Sequence, residues 1–228
     1  MLASVHIADI KRGEALKRIV KGPARITAPG LRHANLGLAA PLGGGLRPKP
    51  DVGRLALIAM WDDDEAIDHF LTDAPIARTL AGGWHARLQP LRAHGSWPGL
   101  ADDLPRSRAV DNEGPVAVLT LGRLRLPRLF PFLRASAKAE ARVLVAPGLI
   151  WATGIGRPPF LATCSLWQSA DASTAYAYGQ GDAHNDAIVA GRAKPFHHRE
   201  AFVRFRPYDT AGHLDGRNPL GETWLAGV

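Results

Sequence analysis

The sequence Ala28-Pro29-Gly30-Leu31 recurs in the second half of the chain as Ala146-Pro147-Gly148-Leu149. After each copy comes an apolar stretch that is typical of a buried strand and ends on tryptophan, residues 55–61 and residues 160–167. A helix-like stretch follows each tryptophan. Ordered matches of this kind indicate an internal repeat, which decides the fold.

Further matches extend the repeat to the end of each half. Residues 87–90 (RLQP) correspond to residues 204–207 (RFRP), and a pair of glycines follows at the same separation in both halves. These glycines are Gly95 and Gly99 in the first half and Gly212 and Gly216 in the second. We therefore predict two diverged copies of one unit, residues 1–110 and residues 111–228.

Each copy has the pattern strand, helix, strand, strand, helix, strand. The predicted elements of the first copy are residues 3–10, 12–20, 31–38, 55–61, 62–71 and 85–91, and those of the second are 116–121, 128–141, 149–155, 160–167, 168–178 and 201–208. This order is the ferredoxin-like βαββαβ pattern. Such a unit covers only one sheet face with helices, so the other face needs a second copy. The predicted fold is α+β, with two tandem ferredoxin-like repeats forming one dimeric-type α/β barrel within a single chain.

Composition limits the classes of function. The chain has 228 residues, 46% of them hydrophobic, and its 28 Lys and Arg against 21 Asp and Glu give a net charge of +7. The basic residues are scattered, so we expect no nucleic-acid partner. With one cysteine, Cys164, no internal disulfide can form. No signal peptide and no apolar run of about 20 residues is visible, which favours a cytoplasmic protein.

A short helix is predicted between Asp182, a good N-cap, and Gly191, a good helix stop. On it His184, Ala187 and Ile188 share one small, apolar face, which we expect to point into the barrel cavity. A single histidine commonly holds haem iron. The first copy has no equivalent histidine, so a cofactor site would be asymmetric. A helix-capping or core histidine bonded to a backbone carbonyl is the alternative.

The second copy resembles the spheroidene monooxygenase family, the bacterial carotenoid ketolases. The resemblance covers about residues 115–210 and rests on a series of motifs. They are Pro147-Gly148-Leu149, Gly154-Ile155-Gly156 with Pro159, Ser165-Leu166-Trp167, Ala175-Tyr176-Ala177-Tyr178, His184 with Ala187-Ile188, and Phe202-Val203-Arg204-Phe205. The resemblance implies a dimeric-barrel fold, a haem cofactor, and oxidation of a hydrophobic substrate with molecular oxygen.

Several further residues are candidates for such a site. Trp151 is a candidate for the distal pocket and Arg157 for pairing with a haem propionate, and these two are the candidate catalytic residues. Tyr176 is a candidate for lining the cofactor pocket together with His184, Ala187 and Ile188. Cys164 lies in the middle of a strand, where a buried, unreactive thiol is the better interpretation than a thiolate ligand. No histidine or cysteine pair has zinc-site spacing.

The leading hypothesis is a haem-dependent, monooxygenase-like enzyme that oxidises a hydrophobic or aromatic small molecule. It would need O₂ and an electron donor, with His184 as the iron ligand. The alternatives are a haem-dependent dehydratase or peroxidase-like enzyme on the same barrel, or a cofactor-free monooxygenase or ligand-binding barrel. The basic helix face of Arg134, Lys138 and Arg142 leaves open a transient contact with a membrane surface. An oligomer is not needed to close the barrel.

Overall fold

The computed structural model describes residues 1–23, 26–43, 51–107, 110–178 and 196–221. The strands are β1 (Leu2–Asp9), β2 (Leu31–Ala40), β3 (Arg54–Trp61), β4 (Trp84–Gly95), β5 (Val116–Leu124), β6 (Leu149–Arg157), β7 (Phe160–Trp167) and β8 (His197–Gly212). The helices are α1 (Arg12–Lys21), α2 (Asp64–Asp73), α3 (Pro75–Leu80), α4 (Leu129–Val143) and α5 (Ala170–Tyr178). Among the helices described, none combines the length and the hydropathy that crossing a membrane requires.

The eight strands form one closed antiparallel barrel in the order β1-β3-β2-β6-β7-β5-β8-β4. Within the first half the order across the sheet is β4-β1-β3-β2, and within the second half it is β8-β5-β7-β6. The halves are joined where β2 pairs with β6 and where β4 pairs with β8. Closure leaves no unpaired strand edge, and one chain supplies every strand.

The interior of the barrel is filled by alternate apolar side chains from both halves. These inward residues include Val5, Ile7, Ile58, Met60, Trp84, Leu88, Leu119, Leu121, Cys164, Leu166, Val203 and Phe205. An eight-stranded barrel is just wide enough for side chains to fill it. The two halves therefore share one hydrophobic core.

Gly30 and Gly148, the glycines of the repeated motif, occupy equivalent turns. Both have a positive φ, +67° and +80°, which favours glycine. A Cβ atom on Gly30 would lie 2.5 Å from Cβ of Ala66, and one on Gly148 would lie 2.6 Å from Cβ of Ala172. Only glycine therefore lets helices α2 and α5 approach these turns so closely.

β4 and β8 are longer than the sequence pattern predicts. The predicted strands span residues 85–91 and 201–208, whereas β4 has 12 residues and β8 has 16. Pro90 and Pro207 interrupt the apolar alternation, and irregularities in the pairing at residues 87–88 and 90–92 accommodate them. The extra length extends the pairing between β4 and β8.

Two smaller differences also have physical causes. The additional helix α3 begins at Pro75, a residue that favours the first helical position. The segment after β4 is rich in polar residues, but its apolar side chains cover the barrel. Trp97 is buried, and Leu100 and Leu104 pack against the barrel core.

Candidate functional site

The outward sides of the two half-sheets are covered very differently. On strands β1, β2 and β3 of the first half the outward residues Ser4, His6, Ala8, Ala34, Leu36, Leu38, Leu55, Leu57, Ala59 and Trp61 are buried. On β4, His85 and Arg87, the outward residues paired with His6 and Ser4, are half-buried. Residues such as Ile67 and Phe70 of α2 and Leu80 of α3 complete that layer. Around β1, β2 and β3 this side of the barrel is an ordinary packed layer between helices and sheet.

On the second half the corresponding surface is partly open. We call it the second outer face, and it consists of Val118, Thr120, Gly122, Gly154, Leu161, Thr163, Phe202 and Arg204. Five of these residues are half-buried, and Phe202 is 44% exposed. The surface spans four strands and three successive outward positions, about 14 Å in each direction. Its centre is lined by small side chains.

Helix α4 is held to the second half-sheet near its carboxyl end. Val143 packs with Trp167 at the end of β7. Tyr176 of α5 stacks on the same indole, with ring centroids 5.2 Å apart, and its hydroxyl donates a hydrogen bond to the carbonyl of Ala139 at 3.2 Å. Burial raises the pKa of the Tyr176 phenol, so the phenol keeps the proton that it donates.

A second contact holds the other end of α4. The ring of Phe132 meets His197 edge-to-face, with centroids 5.2 Å apart. His197 in turn lies against Gly122, where an added Cβ would be 2.7 Å from Cδ2 of the imidazole. α4 is thus held at both ends, and several of its described residues between these attachments are half-buried. We call the region between α4 and the second outer face the crevice.

His197 forms a polar pair with Glu200 at the edge of this crevice. Its Nδ1 lies 3.0 Å from a carboxylate oxygen of Glu200. That hydrogen bond lowers the pKa of the Glu200 carboxyl, so Glu200 is an anion at neutral pH. A carboxylate that orients an imidazole in this way fixes its tautomer and makes it a better base or metal ligand.

The sequence-predicted site residues that the structure describes do not meet in one place. Tyr176 lies beside the crevice, as given above. Trp151 lies at one end of the barrel, with its ring centroid 5.7 Å from that of Trp84. Arg157 ends β6, with its guanidinium next to Gly22 after helix α1. Trp151 and Arg157 are six residues apart on one strand, about 20 Å.

His184, Ala187 and Ile188 lie outside the described residues. They follow α5 in sequence, and α5 ends at Tyr178 beside the crevice. The open space also differs in position from the sequence-based expectation. A cavity inside the barrel was expected, but the described interior is packed with side chains, and the half-open surface lies outside the sheet.

Cys164 has the buried, apolar environment that its position in the strand predicts. It is 1% exposed in the barrel interior, and burial raises the pKa of its thiol to about 12. A thiolate is therefore strongly disfavoured there. In the parts of the chain that the structure describes, no cluster of three or more His, Cys, Asp or Glu residues could hold a metal ion.

Sequence reasoning missed the residues that frame the crevice. The pairing of His197 with Glu200 and its contact with Gly122 depend on how β8 begins, which the sequence pattern does not show. Phe132 gives no signal beyond an ordinary amphipathic helix. Arg204 is an outward residue in an alternating strand, where an arginine is usually exposed, yet it is 7% exposed.

Comparison with known proteins identifies sequence relatives of this chain. No family model matches the chain. Spheroidene monooxygenase of Rubrivivax gelatinosus is 31% identical over 227 residues, which cover 95% of this chain and 85% of that protein. Spheroidene monooxygenase of Cereibacter sphaeroides is 28% identical over 190 residues, 81% of this chain. The matched region is 58% of the Cereibacter protein, so the chain spans less than two thirds of its length.

A solved structure shows a related fold. An aldoxime dehydratase crystallised with butyraldoxime superposes with a TM-score of 0.53 and covers 91% of this chain and 79% of its own, at 9% identity. That likeness concerns the fold alone. The family follows from the sequence relatives, above all from the identity that extends along nearly the whole chain. On this evidence the chain belongs to the spheroidene monooxygenase family.

Proposed function

We propose that the protein is a haem-dependent, monooxygenase-like enzyme that oxidises a hydrophobic small molecule with O₂, and that the haem lies on the second outer face. The main observation behind the proposal is that helices cover the outward surface of the two half-sheets to different extents. Helices bury the outward residues of β1, β2 and β3 in the first half-sheet, but leave much of the corresponding surface of the second half-sheet half-buried. Family membership supports oxidation as the reaction class.

The residues of the second outer face suit a flat, largely apolar cofactor. Thr120 and Thr163 are small, half-buried side chains at the centre of the face, and Phe202 offers an exposed ring. Bound haem would supply the iron that activates oxygen. We propose His184 as the ligand that holds the iron, with Ala187 and Ile188 beside it.

Side chains of the protein itself would bind the substrate, exclude water and transfer protons. Apolar residues such as Leu161 and Phe202 would bind a hydrophobic substrate and exclude water. The His197–Glu200 pair could hold or pass on a proton at Nε2, because Glu200 occupies Nδ1. Catalytic roles for Trp151 and Arg157 remain proposals; the strand they share also contributes Gly154 to the face.

We also propose that residues 1–110 and 111–228 are diverged ferredoxin-like repeats. Equivalent hydrogen bonds support this proposal: the amide of Asp62 donates to the carbonyl of Gly30, and the amide of Gln168 donates to that of Gly148. If the repeat holds, superposing the halves brings Trp61 onto Trp167.

Absorbance spectroscopy tests the cofactor proposal. We expect the purified protein, supplemented with haem, to develop a Soret band, and His184→Ala to lose the band or shift it while remaining folded. His69→Ala and His213→Ala serve as controls and should retain the wild-type spectrum. A wild type that stays colourless after supplementation would favour a cofactor-free monooxygenase or a ligand-binding barrel. A Soret band without oxygen-dependent turnover would favour dehydratase or peroxidase-like chemistry.

A further inference from the structure

Arg204 is a buried cation on the second outer face. It lies in the middle of β8 between the inward residues Val203 and Phe205, so its side chain leaves the sheet on the opposite side. The residue is 7% exposed, and its Nη1 atom has no hydrogen-bond partner among the described residues. Burying an unpaired polar group on a guanidinium is costly, so such a group calls for an explanation.

A second positive charge next to Arg204 makes this arrangement unfavourable when no anion is bound there. Arg92 of β4 is the direct cross-strand neighbour of Arg204. Like charges at paired positions destabilise a sheet. Burial and the nearby Arg92 charge both lower the pKa of Arg204, a sign that this pair lacks adequate compensation.

The described surroundings compensate these charges only in part. Arg92 donates hydrogen bonds to the hydroxyl of Tyr178 at 3.3 Å and to the carbonyl of Arg106 at 3.3 Å. Asp171 in the first turn of α5 acts on Arg204 electrostatically, but no carboxylate among the described residues forms an ion pair with Arg204 within 4.0 Å. Two adjacent guanidinium groups beside an apolar surface form a suitable site for a carboxylate.

We propose that Arg92 and Arg204 bind the propionate carboxylates of a porphyrin whose ring lies on the second outer face. This inference rests on the proposed function and adds an orientation to it. The carboxylate edge of the ring would face the Arg92–Arg204 pair of β4 and β8, and the ring would extend towards Thr120 and Thr163. Arg157, the residue that the sequence pointed to for this role, lies at the far end of β6 instead.

Porphyrin titration tests this assignment without measuring turnover. The probes are haem, metal-free protoporphyrin IX, and the dimethyl ester of each, in which both carboxylates are neutral. Absorbance reports binding of haem and fluorescence quenching reports binding of protoporphyrin, which needs no iron ligand. The variants are Arg204→Gln, Arg204→Lys, and the control Arg123→Gln, which removes an exposed charge from the neighbouring strand β5.

We expect the wild type to bind each free acid at least roughly tenfold more tightly than its ester, as charge-assisted hydrogen bonds imply. Arg204→Gln should lose this preference without losing stability to urea, Arg204→Lys should retain part of it, and Arg123→Gln should retain all of it. A wild type that binds acid and ester equally overturns the inference and leaves the proposed function standing.

Two further outcomes distinguish a failure of the proposed function from a failure of this inference alone. If no porphyrin binds at all, the proposed function fails and the inference fails with it. If porphyrins do not bind but dodecanoate does, in a way that depends on Arg204, the carboxylate belongs to a substrate and the porphyrin assignment is overturned. A large loss of stability in Arg204→Gln would indicate a structural arginine and would also contradict the inference.

Discussion

The backbone conformation of single residues in the repeated motif could be predicted from the sequence because it depends on local geometry. A Gly that follows Pro at a turn predicts a positive φ, and Gly30 and Gly148 both have one. What the sequence could not reveal is how closely the helices approach. The contacts with Ala66 and Ala172 depend on the packing of α2 and α5 against their sheets.

Replacing Gly148 with alanine should destabilise the fold by more than about 2 kcal/mol, because the new Cβ would lie 2.6 Å from Cβ of Ala172 and the positive φ is strained. Urea unfolding measures the change. Gly13→Ala is the matched control, because Gly13 lies inside helix α1 with no atom within 4 Å of an added Cβ. Because Gly13 lies in the first turn of the helix, that variant should be at least as stable as the wild type. Equal effects of the two substitutions would contradict the geometry.

His6 should make stability depend on pH. Burial lowers the pKa of its imidazole from 6.5 to about 3, and the ring is hydrogen-bonded to the hydroxyl of Ser4 at 2.8 Å. As pH falls below about 6.5, the unfolded chain takes up this proton first. The free energy of unfolding therefore falls, by about 1.4 kcal/mol per pH unit from this group.

Chemical denaturation at several pH values between about 7.5 and 4 measures this slope. His6→Gln should reduce this slope by about one proton. An unaltered slope in His6→Gln would mean that His6 is not the buried neutral group described above.

At the scale of elements, the order of strands and helices was predictable and their lengths were less so. Apolar alternation and, for β3 and β7, a continuous apolar stretch located all eight strands, because each strand has one face in the shared core. It failed at the ends of β4 and β8, where Pro90 and Pro207 occupy irregular pairings. The attachment of α4 was not predictable, since it depends on where β8 begins and on the ring of His197.

The two phenylalanines of α4 should differ in their effects. Phe132 packs against His197, whereas Phe130 is 80% exposed. Phe132→Ala should loosen the amino-terminal half of α4 and cost about 1–3 kcal/mol, and Phe130→Ala should stay within about 0.5 kcal/mol of the wild type. Hydrogen exchange of the α4 amides measures the local effect. Equal protection in both variants would argue against an attachment at Phe132.

At the scale of the whole molecule, the single-chain barrel was predictable because each half-sheet has an apolar inner face that only another sheet can cover. The position of the open surface was not predictable. It depends on how completely two helices cover a sheet, and the sequences of α4 and α5 resemble those of ordinary packed helices. The sequence pattern around Arg204 did not predict that this charged side chain is buried.

Residues 1–110 expressed alone should not fold to a stable monomer. The inner face formed by Val5, Ile58 and Leu88 would be exposed, because its cover comes from Leu119 and Val203 of the second half. We expect no cooperative thermal transition and strong binding of a hydrophobic dye. A cooperatively folded, monomeric half would contradict a shared core.

The central claim is that a flat, apolar cofactor lies on the second outer face, and filling that face tests it most directly. Thr163 is half-buried at its centre, opposite Thr120 and Gly154 in the neighbouring strands. The measurement is a haem titration followed at the Soret band, with Thr163→Val as the control of similar size. We predict that Thr163→Trp folds with unchanged circular dichroism but binds haem at least roughly tenfold more weakly, because the indole occupies the crevice. A folded Thr163→Trp protein that takes up haem as the wild type does would contradict the account.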